Sequence, residues 1–227
     1  APPPVEAVAT EVAEPLQAAV IEEVSATSLI TLANQDVPAS AVTKPGDVPR
    51  DEYGRPFRYE GLGDPLPEFK GTLLNGSPFT TSDLLGQWTV IDVWGLWCPD
   101  CIVDGPYVAA LNAALAQDPD VNFLAIHTPP SAARLDDAYG RYASIEAYFD
   151  EKGYNYPTLV DADASIKSVL KLRWWPTILV IAPDGTVQGF RTELAPAGGE
   201  PVKDFLRDIA ELRGDWNTAQ SAISQTP

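Results

Sequence analysis

Residues 88–101 read Trp88-Thr-Val-Ile-Asp92-Val-Trp94-Gly-Leu-Trp97-Cys98-Pro99-Asp100-Cys101, and this stretch decides the fold. Its first seven residues are apolar but for one acid, the pattern of a strand buried on both faces. Its last four hold the only two cysteines in 227 residues. A Cys-x-x-Cys pair where a strand hands over to a helix is the placement that dithiol–disulfide exchange uses. The thiolate is the nucleophile there, and a helix N-terminus favours it through free N–H groups and the helix dipole. Cys98 is therefore expected to attack. Cys101, one turn further on and expected to be more buried, is expected to resolve the mixed disulfide.

Three acids surround the pair. Asp100 lies between the cysteines, where a carboxylate disfavours the Cys98 thiolate and makes the dithiol a better reductant, against the helix dipole. It also reads as a capping residue of the helix. Asp92 interrupts the apolar strand, so burial should raise its pKa and let it exchange a proton with Cys101. Asp104 follows Cys101 by three residues, on the same side of the helix, and is a second candidate for that relay. The alternative for either is a hydrogen-bonded structural acid.

Trp175-Pro176-Thr177 precedes a third apolar strand. A proline entering a central strand is expected to be cis, which would put the Trp175 backbone beside the dithiol; a trans proline at the strand start is the alternative. Trp97, Pro99, Trp175 and Pro176 are thus the candidate substrate-binding residues. The Trp174-Trp175 pair reads equally as core or as an exposed platform. Zinc would need four ligands, and the chain offers two cysteines and one histidine, so no metal is expected. That histidine, His127, reads as a loop residue rather than a catalytic one.

Outward from the motif, the order is hairpin, strand, helix, strand, helix, helix, hairpin, helix. Glu68–Leu74 and Ser77–Thr80 flank an Asn75-Gly76 turn, and Ser82 is expected to cap a short turn through Leu85. A helix from the motif to about Gln117, kinked at Pro106, leads to a strand over Val121–His127. Ser131–Lys152 reads as helical, in two pieces around Gly140, with Ser144 capping the second and Gly153 stopping it. A short helix over Ala164–Leu172 precedes the strand Thr177–Ala182, which an Asp184-Gly185 turn joins to Thr186–Arg191. The last helix begins at Pro201 and is expected to end at Gly214. This order predicts an α/β fold with a mixed central sheet flanked by helices. The expected domain is 65–214, after a connector over 51–64 and before a frayed tail over 215–227.

Residues 1–50 are rich in Ala, Val, Glu and Pro and contain no aromatic residue. They read as an extended linker, with one short helix over Leu16–Val24, or as a strap on the domain or a tether from a membrane anchor. A net charge of −17 argues against nucleic acid as a partner. No run approaches the length of a membrane-spanning helix. The chain contains no methionine, so it is expected to be a processed form, a removed secretory signal being one explanation.

Together these residues resemble the thioredoxin superfamily and, within it, the TlpA/ResA/CcmG-like thiol–disulfide reductases. Val90 to Cys101 looks like that family's strand and active-site turn. Asp92 matches the buried aspartate of thioredoxins, and Asp104 and Pro106 match the acid and kink proline of the ResA-like branch, where the acid is usually glutamate. Trp175-Pro176-Thr177 matches the cis-proline segment. The resemblance implies a thioredoxin-like fold and a periplasmic or otherwise extracytoplasmic disulfide reductase that needs no cofactor. It implies oxidised protein substrates, as in cytochrome c maturation, and a membrane thiol–disulfide transporter as electron donor. The rivals are an oxidase or isomerase, a peroxidase, and a non-enzymatic binding or metal-chaperone module. Peroxiredoxin-like sites need a Thr three residues before the reactive cysteine, and Gly95 stands there.

Overall fold

A computed structural model describes residues 24–195 and 198–224. Among the described residues the strands are β1 Ile30–Thr31, β2 Lys70–Leu73, β3 Pro78–Thr80, β4 Trp88–Trp94, β5 Val121–His127, β6 Thr158–Val160, β7 Thr177–Ile181 and β8 Val187–Arg191. These eight form one mixed sheet in the order β1-β8-β7-β4-β5-β6-β2-β3. The helices are α1 Pro99–Leu115, α2 Ile145–Lys152, α3 Ser165–Val169 and α4 Pro201–Ser224. β4 is central, parallel to β5 and antiparallel to β7. All seven of its residues are buried, as its unbroken apolar character requires.

Side chains alternate across the sheet and split the core in two. Trp88, Val90 and Trp94 face α1 and α4, packing with Leu111, Phe205 and Ile209. Ile91 and Val93 face the other layer, with Leu66, Ile166 and Leu170. Asp92 has the parity of Trp94 and so points to the α1 side.

Several expectations change on folding. The chain between Thr128 and Ser144 is not helical apart from a single 3-10 turn over Leu135–Asp137; only the second half of the expected helical stretch forms, as α2, capped by Ser144. Gly140 has φ +56, and a β-carbon there would lie 2.5 Å from the Leu96 carbonyl oxygen, so this loop is laid directly on the active-site turn. Thr80 rather than Ser82 precedes the 3-10 turn Thr81–Leu84, its amide donating to Asp83 at 2.7 Å. Helix α4 runs through Gly214 to Ser224. Trp216 meets Trp88 edge-on at 5.5 Å, and that packing outweighs the cost of about 1 kcal/mol for an interior glycine. β6 has only three residues, too few for a periodic signal.

The segment over 24–50 is not a free linker. Ile30 and Thr31 pair with Phe190 and Gly189 at the edge of the sheet. Ala26, Leu29, Ile30 and Val48 are buried, so small aliphatic side chains suffice for this thin cover. The short helix expected over Leu16–Val24 lies, but for Val24, outside the described residues.

Candidate active site

Cys98 is the N-cap of α1, with Pro99 at the first helical position, where proline loses no hydrogen bond. Cys98 and Cys101 form a disulfide. The Cys101 amide donates to the Cys98 sulfur at 3.2 Å, the contact that a thiolate at a helix N-terminus would use. The two residues are almost equally covered, 4% and 3% exposed, so Cys101 is not distinguished by depth. Cys98 is covered because the chain returns over it: its Sγ lies 3.6 Å from the Trp175 carbonyl oxygen. The Trp175–Pro176 bond is cis.

Trp97 and Trp175 approach at 5.7 Å between ring centroids and form one indole surface beside the dithiol. Pro99 and Asp100 are exposed on its other side, where solvent screens the Asp100 charge. Three loops are tied together here. Trp97 Nε1 donates to the Thr128 carbonyl at 2.7 Å, and Lys167 Nζ donates to the Pro130 carbonyl at 2.5 Å. The same ammonium sits 4.0 Å from the Trp175 ring centroid, a cation–π contact. Asp161, buried, accepts from Thr128 Oγ1 and from the amides of Ile166 and Lys167, which fixes α3 against this corner.

Behind the dithiol lie the acids. Asp92 is buried and its Oδ1 has no hydrogen-bond partner. Burial, and then the charge of Asp104, raise its pKa well above the carboxylate range. Asp104 is also buried, and its carboxylate accepts from the amides of Leu194 at 2.8 Å and Ala195 at 2.6 Å. Burial raises it to about 6 in spite of those bonds. Asp104 therefore fastens the chain after β8 to α1, and it remains a titratable acid near neutral pH. Asp92 and Asp104 interact electrostatically, so the structure brings both candidate acids into one buried compartment on the α1 side of the sheet.

Further residues complete the site. His127, expected from the sequence to be a loop histidine, instead ends β5 and is buried; its Nε2 accepts from the Leu96 amide at 3.2 Å, and its ring stacks on Tyr139. Burial lowers its pKa to about 4, so it is neutral and holds the turn before Cys98. Glu193, buried, accepts from Trp174 Nε1 at 2.8 Å and from Arg55 at 2.5 Å. The connector thus pins the residue before Trp175. Nothing local marks Arg55, Glu193 or Lys167, since each acts through a contact distant in sequence. Among the described residues no three His, Cys, Asp or Glu side chains are grouped to hold a metal ion.

Residues 62–190, more than half of the chain, match the AhpC/TSA family. The chain belongs to the AhpC/TSA family. The soluble secreted antigen MPT53 of Mycobacterium tuberculosis is 29% identical over 119 residues, covering 52% of this chain and 61% of that protein. The thiol-disulfide oxidoreductase ResA of Oceanobacillus iheyensis is 26% identical, over 66% of this chain and 73% of that one. Among solved structures, a Chlorobium tepidum protein assigned as the thiol:disulfide interchange protein DsbE superposes with a TM-score of 0.53 at 19% identity. It covers 66% of this chain and 96% of its own, and it establishes the thioredoxin-like fold. Within the AhpC/TSA family the peroxidase reading fails on Gly95. A β-carbon there would stand 2.2 Å from Trp97 Nε1 and 2.7 Å from the Thr128 carbonyl oxygen, so the threonine that a peroxidatic site needs has no room.

Proposed function

We propose that this AhpC/TSA family protein is an extracytoplasmic thiol–disulfide oxidoreductase that reduces disulfides in exported proteins. The observation that carries the reading is the Cys98–Cys101 pair capping α1 with the Trp175 carbonyl 3.6 Å from the Cys98 sulfur. The names of its relatives support it: one a thiol-disulfide oxidoreductase, another a secreted protein. No helix among the described residues is long and apolar enough to cross a membrane.

The reduced protein starts with the Cys98 thiolate. It attacks one sulfur of the partner's disulfide, and the other sulfur leaves as a thiolate. Cys101, its proton taken by Asp92 or Asp104, then attacks Cys98 and expels the partner's second sulfur. Two electrons have passed to the partner, and the Cys98–Cys101 disulfide remains. Trp97, Pro99 and Trp175 form the surface on which the partner's chain lies; Pro176, expected from the sequence to join them, is buried and acts by setting the Trp175 backbone beside Cys98. A membrane thiol–disulfide transporter restores the dithiol, and apocytochrome c is one outlet. The reducing direction rests on the Asp100 carboxylate between the cysteines, which disfavours the Cys98 thiolate by an amount that solvent screening limits.

Equilibration with glutathione tests the direction. A reduction potential of about −200 mV or lower is expected; one near the about −120 mV of strong oxidants would make the protein an oxidase. Cys101→Ser should freeze the mixed disulfide with its partners. If Cys98→Ser left reduction and capture intact, the protein would be a non-enzymatic module instead.

A further inference from the structure

Beside the indole surface, α3 and the chain after it carry Lys167, Lys171 and Arg173. These line one groove of about 440 Å³ in which Glu60 is the single acid. Glu60 is engaged by Arg173 at 2.8 Å. Arg58 lines the adjoining crevice with Lys171 and Arg173. The chain carries 32 acids against 15 lysines and arginines, so an even scatter would give about two acids for each cation; this groove reverses that ratio. The groove also meets the redox site directly, because Lys167 Nζ stands over both the Trp175 and the Trp97 rings, at 4.0 and 5.8 Å.

The backbone gives a second sign. Lys171 has φ +52, in the left-handed region where glycine is the ordinary residue after a helix. A lysine there accepts backbone strain, and its side chain lies exposed at the groove. Building on the oxidoreductase reading, we propose that this groove docks an acidic stretch of the partner polypeptide next to the disulfide that Cys98 attacks. In a protein of net charge −17, such a patch lets an acidic partner approach the dithiol where the rest of the surface repels it.

The test uses two disulfide-bridged peptides, identical except for three acidic or three basic residues beside the bridge. The whole protein should reduce the acidic peptide with a kcat/KM about tenfold higher at low salt, and the ratio should fall toward one at about 0.5 M salt. Lys171→Asn combined with Arg173→Gln should bring the low-salt ratio near one; asparagine suits the left-handed backbone, and a circular dichroism melt checks folding. A wild-type ratio near or below one, or a preference that survives high salt or the double variant, overturns the proposal. Should the double variant fail to fold, the wild-type salt series decides alone. A protein that reduces neither peptide nor hydroxyethyl disulfide fails the oxidoreductase reading itself, and this proposal with it.

Discussion

The carbonyl oxygen of Trp175 stands 3.6 Å from the sulfur of Cys98, across 77 residues of sequence. That contact joins the nucleophile at the start of α1 to the start of β7. It explains why a cysteine at a helix N-cap is only 4% exposed. Trp175 is held in turn by Lys167 and lies next to Trp174, which Glu193 binds.

Trp175→Ala removes the indole from this surface and the cation–π contact with Lys167. Reduced Cys98 should then be alkylated several-fold faster by iodoacetamide, while stability falls by about 1–2 kcal/mol. Unchanged alkylation would mean that the Trp175 side chain does not screen the nucleophile.

Asp92→Asn tests the relay. Burial raises the Asp92 pKa well above the carboxylate range, so its charge is costly here, and asparagine, neutral and of similar shape, should hold or raise thermal stability. The ionised form of Asp92 is the one that takes the Cys101 proton, and asparagine supplies no such base. Decay of the mixed disulfide should slow by about a hundredfold, and stopped-flow release of a fluorescent partner would measure it. Release at the wild-type rate would leave Asp104 as the acid.

Two buried groups oppose one another in their pH dependence. His127 drops from 6.5 to about 4, so the unfolded chain takes up its proton first; its contribution is complete above pH 6.5 and is lost as pH falls to about 4. Asp104 rises from 3.8 to about 6, so the folded protein takes up its proton first; its contribution grows as pH falls from about 6 to 3.8. Each amounts to about 3 kcal/mol. Wild-type stability should be nearly flat in this window as far as these groups act. His127→Gln should gain stability on acidification and Asp104→Asn should lose it, as urea midpoints from pH 4 to 7 would record. Parallel profiles for wild type and His127→Gln would rule out a neutral His127.

Arg55→Ala leaves Glu193, 5% exposed at its side chain, without its ion-pair partner and with the Trp174 hydrogen bond remaining. Losing one partner of a buried pair costs about 3 kcal/mol. Urea unfolding should show that loss, and Arg55→Met with Glu193→Gln should recover part of it. A loss below about 0.5 kcal/mol would mean that the connector does not brace Trp174.

The residue pattern alone determined the redox motif, the central strand, the amphipathic last helix and the two tight turns. Each is a local signal: a run of apolar residues, a Cys-x-x-Cys spacing, a glycine where the chain must reverse. It also singled out Asp92, Asp104 and Pro176 from their places beside such signals. Tertiary structure alone decided what those residues touch. Asp104 holds the amides of Leu194 and Ala195, His127 holds Leu96, and Lys167 reaches Trp175, all through contacts that no local pattern records. It likewise turned the aromatic-free segment over 24–50 into part of the core and carried α4 past Gly214. In both places packing against a distant surface outweighed a modest local preference, because burial acts on whichever side chains the fold brings together.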